Sequence, residues 1–112
     1  MAAVAEPQAV HVAVHVREGR AVVDGRSVWL TFRECEVLDV LVERSGSVAL
    51  REVVQQRIWG RVIPGHQDRS LDVYVRRLRA KLAEAAPDVV FIHTHQGVGY
   101  RFDPVPTEEA GS

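Results

Sequence analysis

From His11 onward the chain alternates: Val12, Val14 and Val16 are interleaved with His11, Ala13 and His15, the period of two expected of a half-buried strand. The next stretch, RAVVDGRSVWL, places Asp24-Gly25 between two short β-branched runs and predicts a hairpin. Together these segments predict a small antiparallel sheet. At Thr31 the period changes. Thr31 and Glu34 have the spacing of a capping box, and Cys35, Leu38, Leu41 and Val42 then share one helical face until Gly46 stops the helix. A second helix is predicted from Arg51 to about Trp59, burying Val54 and Ile58 and ending at Gly60. Pro64-Gly65 breaks the loop 61–68, whose last residue, Asp68, is placed to cap a third helix over 69–83. There Leu71, Val75, Leu78 and Leu82 form one narrow apolar stripe. Finally, Phe91 to His95 and Tyr100 to Phe102 read as strands joined through Gln96-Gly97-Val98-Gly99, with the glycines supplying positive φ.

These elements fit one domain over residues 10–103. Residues 1–9 read as a linker or disordered arm and 104–112 as a disordered tail, both proline-bearing and without apolar period. At 112 residues and 46% hydrophobic the chain suits a single core. It has no apolar run of the roughly 18–20 residues that a membrane span needs, and no secretory signal at its start, so a soluble, cytoplasmic protein without a membrane partner is expected. The one cysteine, Cys35, excludes an internal disulfide and a cysteine-based metal site, and its place on the first helix's apolar face makes it an inert core residue.

Charge changes the picture. In RSLDVYVRRLRAKL, Arg69, Arg76, Arg77, Arg79 and Lys81 stand against the single acid Asp72, in a protein of net charge −1. Opposite the apolar stripe lie Arg69, Val73, Arg76, Arg77 and Ala80, so arginines flank small apolar residues on a convex face. Such a helix suits the DNA major groove, where guanidinium pairs bidentately with guanine or phosphate. A plain solvated face is the competing reading, but acidic i+4 partners are nearly absent and arginine outnumbers lysine thirteen to one. Two helices followed by a hairpin make the architecture of a winged helix.

From Leu30 to Phe102 the chain resembles the winged-helix DNA-binding (effector) domain of OmpR/PhoB-type response regulators. LTFRECEVLDVL, GSVALREVVQQRIWG, RSLDVYVRRLRAKL and GVGYRF carry the resemblance, in that order. It implies an α+β fold: a winged helix-turn-helix with an N-terminal antiparallel sheet of four strands, three helices and a C-terminal β-hairpin wing. It also implies sequence-specific double-stranded DNA binding by a bacterial transcription regulator of a two-component system, nucleoid-associated when bound. Helix 69–83 would enter the major groove and wing 91–102 the minor groove. Carried over by position, Asp72, Val73 and Arg77 would touch bases. Trp59, Arg69, Ser70, Tyr74, Arg76, Arg79, Thr94 and Tyr100 would hold phosphates. The family commonly binds direct repeats as head-to-tail pairs and contacts RNA polymerase through the loop that is here 61–68.

Several positions depart from the family pattern. Gln96 stands where the wing often carries arginine or lysine, which weakens attraction to a narrow minor groove. Tyr74 replaces a common histidine at a phosphate position, and Leu50 replaces the usual serine or threonine cap of the second helix. A receiver domain does not fit beside this domain in 112 residues, and the linker-like start favours the carboxy-terminal half of a longer regulator over a stand-alone reader. His93 and His95 share a strand face, but two imidazoles fall short of the three or four ligands of a tight metal site, so no metal is expected. No phosphate-binding glycine loop, activated nucleophile or paired-carboxylate site is recognisable, which argues against an enzyme and against a cofactor. The rival from another class is a winged helix used as a protein-interaction module, its basic helix meeting an acidic partner.

Overall fold

The computed structural model describes residues 10–61 and 69–110. Strands β1 (Val12–His15), β2 (Arg20–Val23) and β3 (Arg26–Trp29) form an antiparallel meander in that order. The sheet has three strands among the described residues, against the four expected; residues 1–9 lie outside them. Val12 and Val14 turn inward while Ala13 and His15 face solvent, as the alternation requires. At the β2–β3 turn Asp24 and Gly25 both take positive φ, 45° and 85°, the geometry of a tight two-residue hairpin loop. The Asp24 carboxylate then accepts the His11 N–H at 2.9 Å, tying the turn to β1.

Helix α1 (Phe32–Glu43) begins with the expected capping box. Thr31 Oγ1 accepts the Glu34 N–H at 3.2 Å, and Glu34 Oε1 accepts the Thr31 N–H at 2.8 Å. Cys35, Val37, Leu38, Val40 and Leu41 are buried beneath it. Burial, with Glu34 and Asp39 nearby, pushes the Cys35 thiol up and leaves it protonated, in keeping with a packing role.

A strand that the apolar pattern does not announce follows: β4 (Val48–Leu50), three residues long, which leads straight into α2 (Arg51–Trp59). Leu50 occupies the cap position and supplies no side-chain bond. Another of the free N–H groups at that end is met from elsewhere, because the carbonyl of Val98 accepts the Arg51 N–H at 3.1 Å. Helix α3 spans Ser70–Ala85, two residues past the expected end, with Arg69 in the cap position. Asp68, expected there, lies outside the described residues. Leu71, Val75, Leu78 and Leu82 are all buried, so the apolar stripe is the core-facing side.

The second sheet has the order β4-β6-β5, built from β5 (Val89–His95), β6 (Gly99–Pro106) and the short β4. β6 runs beyond Phe102: Val105 and Pro106 pair with Val90 and Val89. A short helix, α4 (Thr107–Ala110), follows, with the Thr107 N–H donating to the Asp88 carbonyl at 2.8 Å. In place of the loose tail expected from residue 104, a strand and a short helix run through residue 110. Prolines are tolerated there because β4 reaches only as far as Arg101, so Pro104 and Pro106 lie where β6 has lost one neighbour.

The two wing glycines serve different needs. Gly97 takes φ +74°, as expected of a turn glycine. Gly99 does not; a Cβ there would lie 2.0 Å from the Ala49 carbonyl oxygen, so the position is reserved by the close approach of β4. Gly99→Ala is expected to destabilise the domain by about 1–3 kcal/mol, through overpacking against backbone that cannot yield. Gly97→Ala, with open space around it, should cost only about 1 kcal/mol, from φ alone. Urea unfolding of the two variants would show the order.

Candidate nucleic-acid interface

The outward face of α3 is set by what holds the helix from behind. Asp72, in its first turn, is gripped by Arg51 at the start of α2, with NH1 to Oδ1 at 2.7 Å and NH2 to Oδ2 at 3.3 Å. The Tyr100 hydroxyl, from β6, donates to the same Oδ1. One carboxylate thus joins α2, α3 and the hairpin. The Arg51 hydrogen bonds, joined by that of Tyr100, hold Asp72 below the usual aspartate range despite partial burial. Burial and the Asp72 carboxylate push the Tyr100 phenol up.

The five cations of α3 and its cap residue separate into two groups. Lys81 reaches back to α1 and donates to the buried Glu34 at 2.6 Å. Arg79 turns to the hairpin, where Nε and NH2 donate to the Ile92 carbonyl at 3.2 and 2.9 Å and NH2 to Thr94 Oγ1 at 2.7 Å. Its guanidinium also lies 5.8 Å over the ring of Tyr100. Arg69, Arg76 and Arg77 remain exposed, with no salt bridge to any of them among the described residues. They flank the half-buried Val73.

The structure joins some of the expected contact residues along the two flanks of α3, Trp59 against Tyr74 on one and Thr94 and Tyr100 against Arg79 on the other, but not all are equally available. Ser70 is exposed at the first residue of α3, and Thr94 and Gln96 are exposed on the hairpin. Trp59, at the end of α2, is half-buried against Tyr74. Tyr100 is buried, and Asp72 has both oxygens engaged, so these two first serve to hold the frame. Asp72 pairs with Arg51 across the helices and not with its i+4 neighbour Arg76. Sequence reasoning missed Arg51, Glu34 and Lys81 as cross-links. No local signal marks them, because the partners lie 21 and 47 residues apart.

The wing histidines are occupied as well. His93 Nε2 donates to the Asp103 carbonyl at 2.7 Å, and His95 Nε2 accepts from Arg101 Nε at 3.1 Å. Among the described residues no group of three or more histidine, cysteine or acidic side chains is gathered as a metal site. No helix among them is long and apolar enough to cross a membrane.

A helix pair with an exposed arginine face, closed by a β-hairpin that shares its hydrogen bonds, is a winged helix-turn-helix. The family model described as "Transcriptional regulatory protein, C terminal" matches residues 25–102, and the chain belongs to that family, the OmpR/PhoB-type effector domains. Sensory transduction protein RegX3 of Mycolicibacterium smegmatis is 35% identical over 81 residues, covering 72% of this chain and 35% of the relative. The transcriptional regulatory protein YclJ of Bacillus subtilis, itself uncharacterized, is 40% identical over 74 residues, 66% of this chain and 31% of its own length. The chain thus spans about a third of the length of these curated relatives. Among solved structures, the DNA-binding domain of CpxR from E. coli superposes with a TM-score of 0.70 at 28% identity, over 82% of this chain and 89% of that one. The Klebsiella pneumoniae RstA DNA-binding domain, solved in complex with the RstA box, gives 0.69 at 28% identity, over 84% and 92%.

Glu34 generates a pH prediction. Burial alone would raise its carboxyl, but the hydrogen bonds from Lys81 and Thr31 outweigh it and hold Glu34 below the usual value of 4.5. The folded state then binds a proton less readily than the open chain does. The stabilisation is complete above pH 4.5 and is lost as pH falls through the lowered value. Urea unfolding across acid pH should show this decline, and Glu34→Gln should flatten it. Lys81→Met should cost about 1–3 kcal/mol at neutral pH, by leaving a buried carboxylate short of a donor.

Proposed function

We propose that this domain binds double-stranded DNA sequence-specifically, as the effector part of a bacterial transcription regulator acting in the cytoplasm. α3 lies in the major groove with Val73 and Arg77 toward base edges, and the β5–β6 hairpin lies beside the adjacent minor groove with Gln96 at its tip. Arg69, Ser70 and Arg76 hold phosphates, with Trp59, Tyr74 and Thr94 at the margins of the same surface. Arg79, Thr94 and Tyr100 act first on one another, keeping the wing seated against α3. Asp72 accepts a cytosine amino group only while also holding Arg51 and Tyr100, so its first task is to fix the frame.

The observation that carries this reading is the exposed triad Arg69, Arg76 and Arg77 on the convex face, none of them in a salt bridge among the described residues, in a protein whose net charge is −1. An arginine face left open while other cations of the same helix are paired is one that a polyanion would complete. Two copies bind head-to-tail on direct repeats about one helical turn apart, and the loop 61–68, largely outside the described residues, faces RNA polymerase.

Selection from a random duplex pool tests the reading. One enriched motif, in tandem every 10–11 base pairs or so, is expected. Absence of a motif would instead favour the protein-interaction module. With Arg69 and Arg76 on phosphates and Arg79 beside them, the slope of log K against log [salt] should be about −2 to −3. Arg77→Ala should weaken the best site by about 1–3 kcal/mol and erase the preference at one base pair. Equal weakening on every duplex would make Arg77 a phosphate ligand.

A further inference from the structure

Four side chains from three helices stack in one row. Arg33 of α1 lies over the Trp59 ring, its Cζ 5.7 Å from the centre. Trp59 faces Tyr74 of α3, with ring centres 6.1 Å apart and planes tilted by 38°. Arg77 closes the row, 5.6 Å over the Tyr74 ring. The inner members are held in place: Arg33 NH1 donates to Glu36 at 2.8 Å and to the Ile58 carbonyl at 2.9 Å, and both rings are half-buried against the core. Arg77 alone stands at the open end, exposed and in no salt bridge among the described residues.

An arginine in water samples many rotamers, and bidentate pairing with a base edge requires its fork in one plane. A ring three residues earlier on the same helix offers a flat surface within reach of that fork. We infer that Tyr74 is a specificity-determining positioning residue: its ring, backed by Trp59 and Arg33, pre-orients the Arg77 guanidinium for one base pair. This rests on the DNA-reading role proposed above, and it assigns the function to the ring of Tyr74, whereas a phosphate contact would need its hydroxyl.

Two variants separate ring from hydroxyl. Tyr74→Phe keeps the ring, and Tyr74→Leu keeps apolar bulk against the core without one. In the free domain, NMR should find the Arg77 side-chain protons shifted upfield by the ring current in wild type and Tyr74→Phe, and not in Tyr74→Leu. With DNA, the readout is the ratio of affinities for the best site and for the site altered at the base pair whose preference Arg77→Ala erases. Tyr74→Phe should keep that ratio, and Tyr74→Leu should lower it about two- to five-fold, the size of one exposed cation–π contact. Tyr74→Leu should have no further effect on the ratio in the Arg77→Ala background.

Equal weakening of all duplexes by Tyr74→Phe would overturn the inference and return Tyr74 to a phosphate bond through its hydroxyl. Absence of the ring-current shift in wild type would overturn it without reference to DNA. A wild-type domain that shows the shift but prefers no sequence would instead bring down the DNA reading, and the positioning role with it, while leaving the stack intact.

Discussion

The arrangement of the helix-turn-helix depends on one carboxylate. Asp72 receives Arg51 from α2 and Tyr100 from β6, so a single side chain in the first turn of α3 sets how three elements meet. Arg51 is held at both ends: its guanidinium by Asp72, its backbone N–H by the carbonyl of Val98 in the wing turn. Since this node is only partly buried, its value lies less in net stability than in direction, because paired charges with fixed geometry admit few alternatives. Around it the apolar stripe of α3 settles into the core, and the opposite face is left pointing away from the protein.

That face is shaped by how the cations are shared out. Lys81 is committed to Glu34 and Arg79 to the β5 backbone, and both bonds serve cohesion. What remains is a compact group of three arginines against a domain otherwise rich in acids. The positive field is thus short-ranged, and beyond about 8–10 Å in physiological salt the surplus acids and screening cancel it. Close fit, more than long-range attraction, has to select a partner.

Much of this was legible in the sequence because it is local. The capping box at Thr31 and Glu34, the i, i+4, i+7 spacing in α3 and the Asp24-Gly25 turn are each decided within a few residues, and each stands where the pattern puts it. β4 escaped because three residues carry too little alternation to register, and what makes them a strand is β6, some fifty residues onward. β6 itself continues through two prolines that read as the start of a tail, since only the pairing shows that β4 has ended there and left β6 with one neighbour. The candidate site was found as a set of positions, but not as a division of labour. That Tyr100 and Asp72 brace while Arg69, Arg76 and Arg77 stand open follows from contacts between distant segments.

The wing turn has two unlike halves. Val98 and Gly99 are locked, one by giving its carbonyl to α2 and the other by the backbone of Ala49 pressed against it. Gln96 is exposed, and Gly97 has open space on its side-chain face. Changes of length are therefore absorbed more readily on one side: residues inserted between 96 and 97 give up the turn's own bond from the Val98 N–H to the His95 carbonyl but leave the frame in register, whereas residues inserted after 98 pull the hydrogen bond from the start of α2. A fold built this way can vary its reach along a groove from one descendant to another without re-solving how its helices pack.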